Sequence, residues 1–524
     1  MTAVNSSKTV IDLTAFENAM VKMPPTVTGT IYEAQTMKGH SGKDGSFSAD
    51  AWFELMLSIE KRLKTRAVDI LRQNPWLASR IIKSPNHKSH GKGIATKLKL
   101  KVGNMKSKMK NLNLVGEFAM EFPTEMAEVE AKKHVEKVVR IRTTNPVGGT
   151  ISDSTTELEM KYSNSPSAKR VVIFDPFTEN KYDHIVESVR PMVHSNTASV
   201  LGETRSLWDI ILVPLTEGTS GKCKNKFILI HSLNSSIADP ATFYKIYAMI
   251  SSDQPVERLD PTRIDCIEEV KQPMLGGDPN FMRSQAVRSG IAKRLLQGER
   301  RANSNLDPKR LPNKATLWIV NREQIQAVKE AHKIKNTRAD DEPSMPYVST
   351  NDILTSWFLS QKNDAVIGCL KADLRGKHPL VPTDRAGNYE TEIIYNTGID
   401  TKTPSWIRAS LARRDGRMKR YGDKDLPGIG GLSGKLGSAP GASIMTNWSA
   451  LYKAVVLKQT GRRLIKPEVH FPILLQRKGI EDSIGWSSMV VFRYNEEKLG
   501  VLVVAPSSPT EGDGFPLDRP ALLS

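Results

Sequence analysis

The stretch Phe227-Ile-Leu-Ile-His-Ser-Leu-Asn-Ser-Ser-Ile-Ala-Asp-Pro-Ala-Thr-Phe-Tyr-Lys-Ile-Tyr247 decides the fold. Phe227 to Leu233 is mostly apolar, the pattern of a buried strand. Asn234 to Asp239 is short and polar, as a tight turn requires. Beyond Asp239, Phe243, Ile246, Tyr247 and Ile250 fall on one face at helical spacing, so a helix follows. A strand feeding a turn and then a helix is a building block of an α/β protein.

The same alternation recurs outward from this stretch. Residues 169–176 and 206–214 are apolar and rich in β-formers, and 112–122 and 137–143 also read as strands. Upstream, Phe53, Leu55, Met56, Ile59 and Leu63, then Ala67, Ile70 and Leu71, recur at helical spacing, so 49–83 reads as one or two helices broken at Asn74-Pro75. Downstream, 279–297 carries a helical pattern. A strand at 315–320 leads to Asn321, a good N-cap for a helix to Lys333. A helix over 351–361, a strand over 366–372 and strands at 487–493 and 499–504 complete the pattern, with a Gly-rich loop at 428–442. No internal repeat is evident.

These readings divide the chain into an irregular lead-in (1–48), a first α/β domain (49–255), a crossover region (256–345) containing the strand and helix of 316–333, a second α/β domain (346–504) and a tail (505–524). A cleft between two such domains is the natural place for a ligand.

The 524 residues, 39% of them hydrophobic, suffice for about two to four domains. No apolar run reaches the roughly 18–20 residues that span a bilayer, and residues 1–20 lack the basic and apolar regions of a signal peptide. Cys223, Cys266 and Cys369 are odd in number and far apart, which points away from a disulfide framework or a zinc site and towards the reducing cytoplasm. The sequons at Asn5, Asn234 and Asn447 are then chance matches. The net charge of +18 favours an anionic partner. Residues 81–110 hold nine lysines and no acid, inside a basic insertion at 83–111. Without interleaved aromatics for base stacking, it reads foremost as a solvated loop, with nucleic acid, a phosphorylated cofactor or a membrane surface as candidate partners.

Several segments, in order, resemble the chloramphenicol-acetyltransferase-like superfamily, which includes the BAHD plant acyltransferases and the condensation domains. Asn234-Ser235-Ser236-Ile237-Ala238-Asp239-Pro240 stands where those proteins carry His-His-x-x-x-Asp-Gly. Ser349 to Asp352 resembles the helix opening S-x-N-D, and Lys371 to Pro379 resembles the following D-x-R-x-R-x-P. Gly387-Asn388-Tyr389 resembles a Gly-Asn strand entry, Thr446-Asn447-Trp448 the T-x-W strand near the cleft, and Asn74 to Arg80 an early P-x-L-x-x-R helix end. Lys453 to Leu457 occupies the neighbourhood of a later Asp-Phe-Gly-Trp-Gly, without matching it. The resemblance implies a two-domain fold with mixed sheets and a channel between the domains. It also implies an acyl-thioester donor such as acyl-CoA, a hydroxyl or amine acceptor, and no metal. It places Ser235 and Asp239 at the catalytic motif, and Asn234, Thr446, Trp448, Arg375 and Arg80 as binding or supporting residues. Asp239 is expected to pair with Arg80 or Arg375.

The chemistry at position 235 departs from that pattern. Proton abstraction from an acceptor suits imidazole, whose pKa lies near working pH. A serine hydroxyl cannot take that role and is a nucleophile only when another group activates it. Pro240 in place of Gly fixes φ and removes an N–H, so the turn is expected to differ. His231 shares the strand parity of Ser235 but lies about 13 Å from it, at ~3.3 Å per residue. The literal His40-Ser-Gly-Lys-Asp44-Gly45 has no strand leading into it. A Ser235 pair with His194 or His470 is a further arrangement. Gly430 to Lys435 lacks the first Gly and the Ser/Thr of a P-loop, and no HExxH or GxSxG is present. Three readings stay open: an acyltransferase fold that has lost its base and binds instead, a working enzyme with a substituted base, and a basic nucleic-acid-binding protein.

Overall fold

The computed structural model describes residues 7–21, 24–34, 49–85, 118–142, 181–193, 206–216, 223–264, 270–271, 274, 314–335, 345–361, 367–397, 400–401, 403–411, 442–458, 464–475, 487–505 and 517–518. The expected strand at 169–176, helix at 279–297, Gly-rich loop, His40, His194 and almost all of the basic insertion lie outside these residues.

The first half runs β1 (Lys8–Asp12), α1 (Ala15–Met20), β2 (Thr26–Glu33), α2 (Ala49–Gln73), a 3-10 turn (Pro75–Ala78), β3 (Arg80–Lys83), β4 (Phe118–Pro123), α3 (Glu128–Val138), β5 (Val139–Ile141), α4 (Lys181–Val189), β6 (Trp208–Thr216), β7 (Cys223–Leu233) and α5 (Pro240–Met249). The second half runs β8 (Lys314–Val320), α6 (Arg322–Lys335), α7 (Thr350–Ser360), β9 (Ile367–Asp373), β10 (Glu390–Asn396), α8 (Pro404–Leu411), β11 (Ala442–Asn447), β12 (Leu457–Lys458), β13 (Leu464–Ile465), β14 (Pro467–Pro472), β15 (Ser487–Arg493), β16 (Leu499–Ala505) and β17 (Leu517–Asp518).

Two mixed sheets organise the chain, as the α/β reading expects. One has the order β14-β2-β7-β6-β5 and the other β10-β9-β11-β15-β16-β8-β17. β7, which carries Phe227 to Leu233, sits at the middle of the first. β7 pairs antiparallel with both β2 and β6, so its backbone groups are satisfied on both edges. On one face of this sheet, α5 packs Phe243 and Tyr247 against His231, and α2 brings Trp52 against Phe227. Asn321 caps α6 as expected, its Oδ1 accepting from the Gln324 N–H at 2.9 Å.

Four expectations need correction. The lead-in is not irregular, because β2 lies between β14 and β7 in the first sheet. Its Thr-rich alternation, Thr26-Val-Thr-Gly-Thr-Ile, is a strand pattern of modest hydropathy. Residues 76–82 are a single 3-10 turn followed by β3, because Pro75 ends α2 and the β-branched Ile81 and Ile82 then extend. β8 is no linker strand but an inner strand of the second sheet, and β17, from the expected tail, pairs with it. Finally, the second half is not self-contained. Between β11 and β15, which are neighbours in the second sheet, the chain leaves it, adds β14 to the first sheet beside β2, and returns. The main core accordingly includes Leu317, Val490, Phe492 and Leu502 of the second sheet.

Candidate functional site

The turn after β7 is built from its own polar side chains. The Asn234 side-chain oxygen accepts from the Ser236 N–H at 2.9 Å and the Ser236 hydroxyl at 2.6 Å, an Asx turn. Asp239 is the N-cap of α5, its Oδ1 accepting from the Thr242 N–H at 2.9 Å. Pro240 is the first helical residue, where proline is favoured and its missing N–H costs nothing. The replacement of Gly by Pro is therefore absorbed by the helix start, with Asp239 still in its capping place.

Of the two candidate partners, Asp239 takes Arg375. The pair is bidentate, Nη1 to Oδ2 at 2.8 Å and Nη2 to Oδ1 at 3.1 Å, with both side chains almost fully buried. The guanidinium also donates to the Arg385 carbonyl, Asp373, Thr242 Oγ1 and the Gly387 carbonyl, and lies 5.0 Å from the centre of the Tyr389 ring. Burial opposes its charge, and the carboxylates of Asp239 and Asp373 more than offset that, raising its pKa. The N–H groups of Arg375 are engaged by the protein on every side, which fixes the turn. Arg80 stands apart. Its guanidinium pairs with Glu121 on β4 at 2.5 Å, a strand-to-strand contact remote in role from Asp239.

Ser235 is 7% exposed and its hydroxyl donates to the Pro24 carbonyl at 2.8 Å. Its own carbonyl accepts from the Asn388 amide at 3.1 Å. Asn388 in turn contacts Glu17, whose buried carboxylate pairs with Arg263 at 2.8 Å. This second ion pair was not anticipated. The signal for half of it was the capping-box spacing Thr14-x-x-Glu17 ahead of a helix. Nothing local marks Arg263 as its partner.

Neither His231 nor His470 reaches Ser235. His231 accepts from the Trp208 indole N–H at 2.9 Å and packs against Phe243, with ring centres 4.4 Å apart. His470, on β14, sits between the Thr30 hydroxyl at 2.9 Å and the Tyr244 hydroxyl at 3.0 Å. Burial pushes both imidazoles down to about 3, so both are neutral at physiological pH.

Trp448 packs edge-on against Tyr244 at 6.1 Å, and its indole N–H has no hydrogen-bond partner among the described residues. On either side of it, Asn447 and Ser449 enter the wall of a cavity of about 550 Å3. Gln326, Lys329, Glu330 and Lys333 of α6, Tyr347 to Asn351 and Leu354, Val491 and Leu499 complete its lining. Ser349 caps α7 in a capping box with Asp352, and Asp352 also binds Arg408 at 2.6 Å. Asn447 donates to Asn351 at 2.8 Å, tying the end of β11 to this helix start. The S-x-N-D and T-x-W segments thus meet, whereas the Ser235 turn contributes nothing to this cavity's lining. Thr446 precedes Asn447 on β11, half-buried and outside that lining. No group of metal-binding side chains occurs among the described residues.

No family profile matches the sequence, and no curated protein matches it. Among solved structures, the chain is similar to TRI101 of F. sporotrichioides, solved with coenzyme A and T-2, at 12% identity over 94% of each chain with a TM-score of 0.47. It is similar to the TRI3 trichothecene 15-O-acetyltransferase of Fusarium sporotrichioides at 8% identity, over 96% of this chain and 92% of that one, with a TM-score of 0.48. The first condensation domain of the CDA synthetase is similar at 9% identity, over 96% and 91%, with a TM-score of 0.42. No described helix is long and apolar enough to cross a membrane.

Proposed function

We propose that this chain binds an acyl thioester of coenzyme A in the cavity at the start of α7 and lacks the imidazole base with which the resembling enzymes act. The observation that carries the reading is the state of position 235, a serine whose hydroxyl donates to a carbonyl. Such a group offers no lone pair of useful basicity to an acceptor's proton. His231 and His470 are engaged elsewhere and hold their protons only near pH 3. On the donor side, Lys329 and Lys333 bring positive charge to the cavity wall, Lys333 beside Glu330 at 3.1 Å, and the half-exposed Tyr347 ring, with Arg408 stacked at 4.8 Å, suits a purine.

Calorimetric titration with coenzyme A, acetyl-CoA and pantetheine tests this. Both CoA forms bind, pantetheine binds much more weakly, and Lys329→Glu or Lys333→Glu each weaken CoA by about tenfold, ~1.4 kcal/mol. No acyl transfer to hydroxyl or amine acceptors accompanies binding. Turnover that disappears in Ser235→Ala would overturn the loss of the base in favour of a rebuilt catalytic site. Steeply salt-dependent RNA binding without CoA binding would replace the reading with the nucleic-acid one.

A further inference from the structure

His231 lies on the middle strand of the first sheet, fully buried, and only one of its ring nitrogens is accounted for. An indole N–H can only donate, so the bond from Trp208 at 2.9 Å makes His231 Nε2 the acceptor. Burial keeps the ring neutral at physiological pH, and a neutral imidazole carries a single proton. That proton is therefore on Nδ1. Nδ1 is buried and has no hydrogen-bond partner among the described residues.

The residue directly opposite has the same need. Thr28 on β2 pairs with His231 across the ladder and is fully buried, and its hydroxyl also has no partner among the described residues. Side chains directly opposed on neighbouring strands have Cβ atoms about 4.5–5.5 Å apart. Thr28 Oγ1 is one bond from its Cβ and His231 Nδ1 two bonds from its own, so one small molecule can reach both. Both side chains face α5. His231 packs on Phe243 and Tyr247, and Thr30, the next threonine on that face, meets the Tyr247 hydroxyl at 2.6 Å.

The chemistry narrows the occupant. Nδ1 offers an N–H, and the Nε2 lone pair is taken by Trp208, so the ring has no electron pair for a metal ion. The ring neighbours Phe243, Tyr247 and Trp208 carry no charge, so an anion or cation would be buried unbalanced. The occupant must accept from Nδ1–H, exchange a hydrogen bond with a hydroxyl, and be neutral and small.

We propose that His231 Nδ1–H and the Thr28 hydroxyl hold one internal water molecule between β2, β7 and α5. A buried donor left unmet is costly, and buried waters are held by such otherwise unsatisfied groups. One neutral molecule leaves the aromatic surroundings of the ring intact, and the ring stays uncharged. The site is independent of what the cavity at α7 binds.

A high-resolution crystal structure of the full chain tests it. One water is expected within about 2.7–3.2 Å of both His231 Nδ1 and Thr28 Oγ1. A direct contact between the two side chains, or no density between them, would overturn the proposal. A cycle of variants in denaturant unfolding reads the same link in solution. Thr28→Val keeps the shape, removes one of the two groups that hold the water, and should lower the folding equilibrium constant by about tenfold. In a His231→Phe background no Nδ1–H is left to strand, and the same change should cost less than about twofold. Equal losses in the two backgrounds would overturn the link. Should His231→Phe fail to fold, the crystal structure of the unaltered protein decides the matter alone.

Discussion

At the scale of single residues, the Asp239 carboxylate carries a structural task with every oxygen engaged. Asp239 caps α5, accepts the Tyr389 N–H at 2.8 Å and pairs with Arg375, so its carboxylate is saturated. Removing one member of a buried pair strands the other. Asp239→Ala is therefore expected to cost about 3–5 kcal/mol in denaturant unfolding. The double variant Asp239→Asn with Arg375→Met should recover part of that loss, since no charge is then left unpaired. The buried histidines set an acid limit. Their folded pKa values near 3 lie below the ordinary 6.5, so between those values the unfolded chain binds protons that the folded chain does not. Stability contributed by the neutral rings is present above about pH 6.5 and is lost as pH falls towards 3, at up to about 1.4 kcal/mol per pH unit for each ring. His231→Gln, which still offers the Trp208 N–H an acceptor, should flatten the acid limb of a stability–pH curve by one proton. An unchanged slope would mean that His231 is solvated in the native state.

At the scale of elements, the loop 384–389 gathers what the sequence scatters. Gly387 has φ of +130°, and a Cβ there would stand 3.0 Å from the Arg263 guanidinium carbon. Its carbonyl receives Asp239 N–H, Thr242 Oγ1–H and Arg375. Gly387→Ala combines a disfavoured backbone with a steric push on the Arg263 guanidinium, and should destabilise by more than about 1 kcal/mol in denaturant unfolding. Unchanged stability would show that the loop yields elsewhere. The strand-turn-helix at 227–249 was legible because hydrophobic runs and N-cap residues are local signals. The same holds for α6 behind Asn321 and for β15 and β16. β2 was not, since alternating threonines and a glycine spread its apolar character thinly over the strand. At the site, the motif pattern marked Asp239 and Arg375 as candidates, but two arginines matched equally well in sequence, and only the path of the chain excludes Arg80. Arg263 and Glu17 are 246 residues apart, and no pattern in either neighbourhood joins them.

At the scale of the molecule, β14 makes one cooperative body of two sheets. It belongs by sequence to the second half and by pairing to the first, with Val469 to Pro472 opposite Ile31 to Thr28. Phe471 is fully buried there, its ring on the backbone of Gly29, where a Cβ would lie only 2.7 Å away. Fraying β14 would expose the β2 edge and at the same time detach the chain on both sides of it from β11 and β15. The core that Phe471 joins also contains Val490, Phe492 and Leu502. Phe471→Ala should therefore cost about 3–5 kcal/mol, and the loss should appear in both sheets. Hydrogen exchange at rising denaturant is the measurement. Amides of β7 and of β15–β16 are expected to merge into one global opening, and the variant should lower both by the same amount. A variant that lowered β7 alone, leaving β15 and β16 protected, would show that the sheets unfold separately and that β14 is a peripheral graft on the first. Joint loss instead ties the two halves of the chain, cavity and turn alike, to one folding equilibrium.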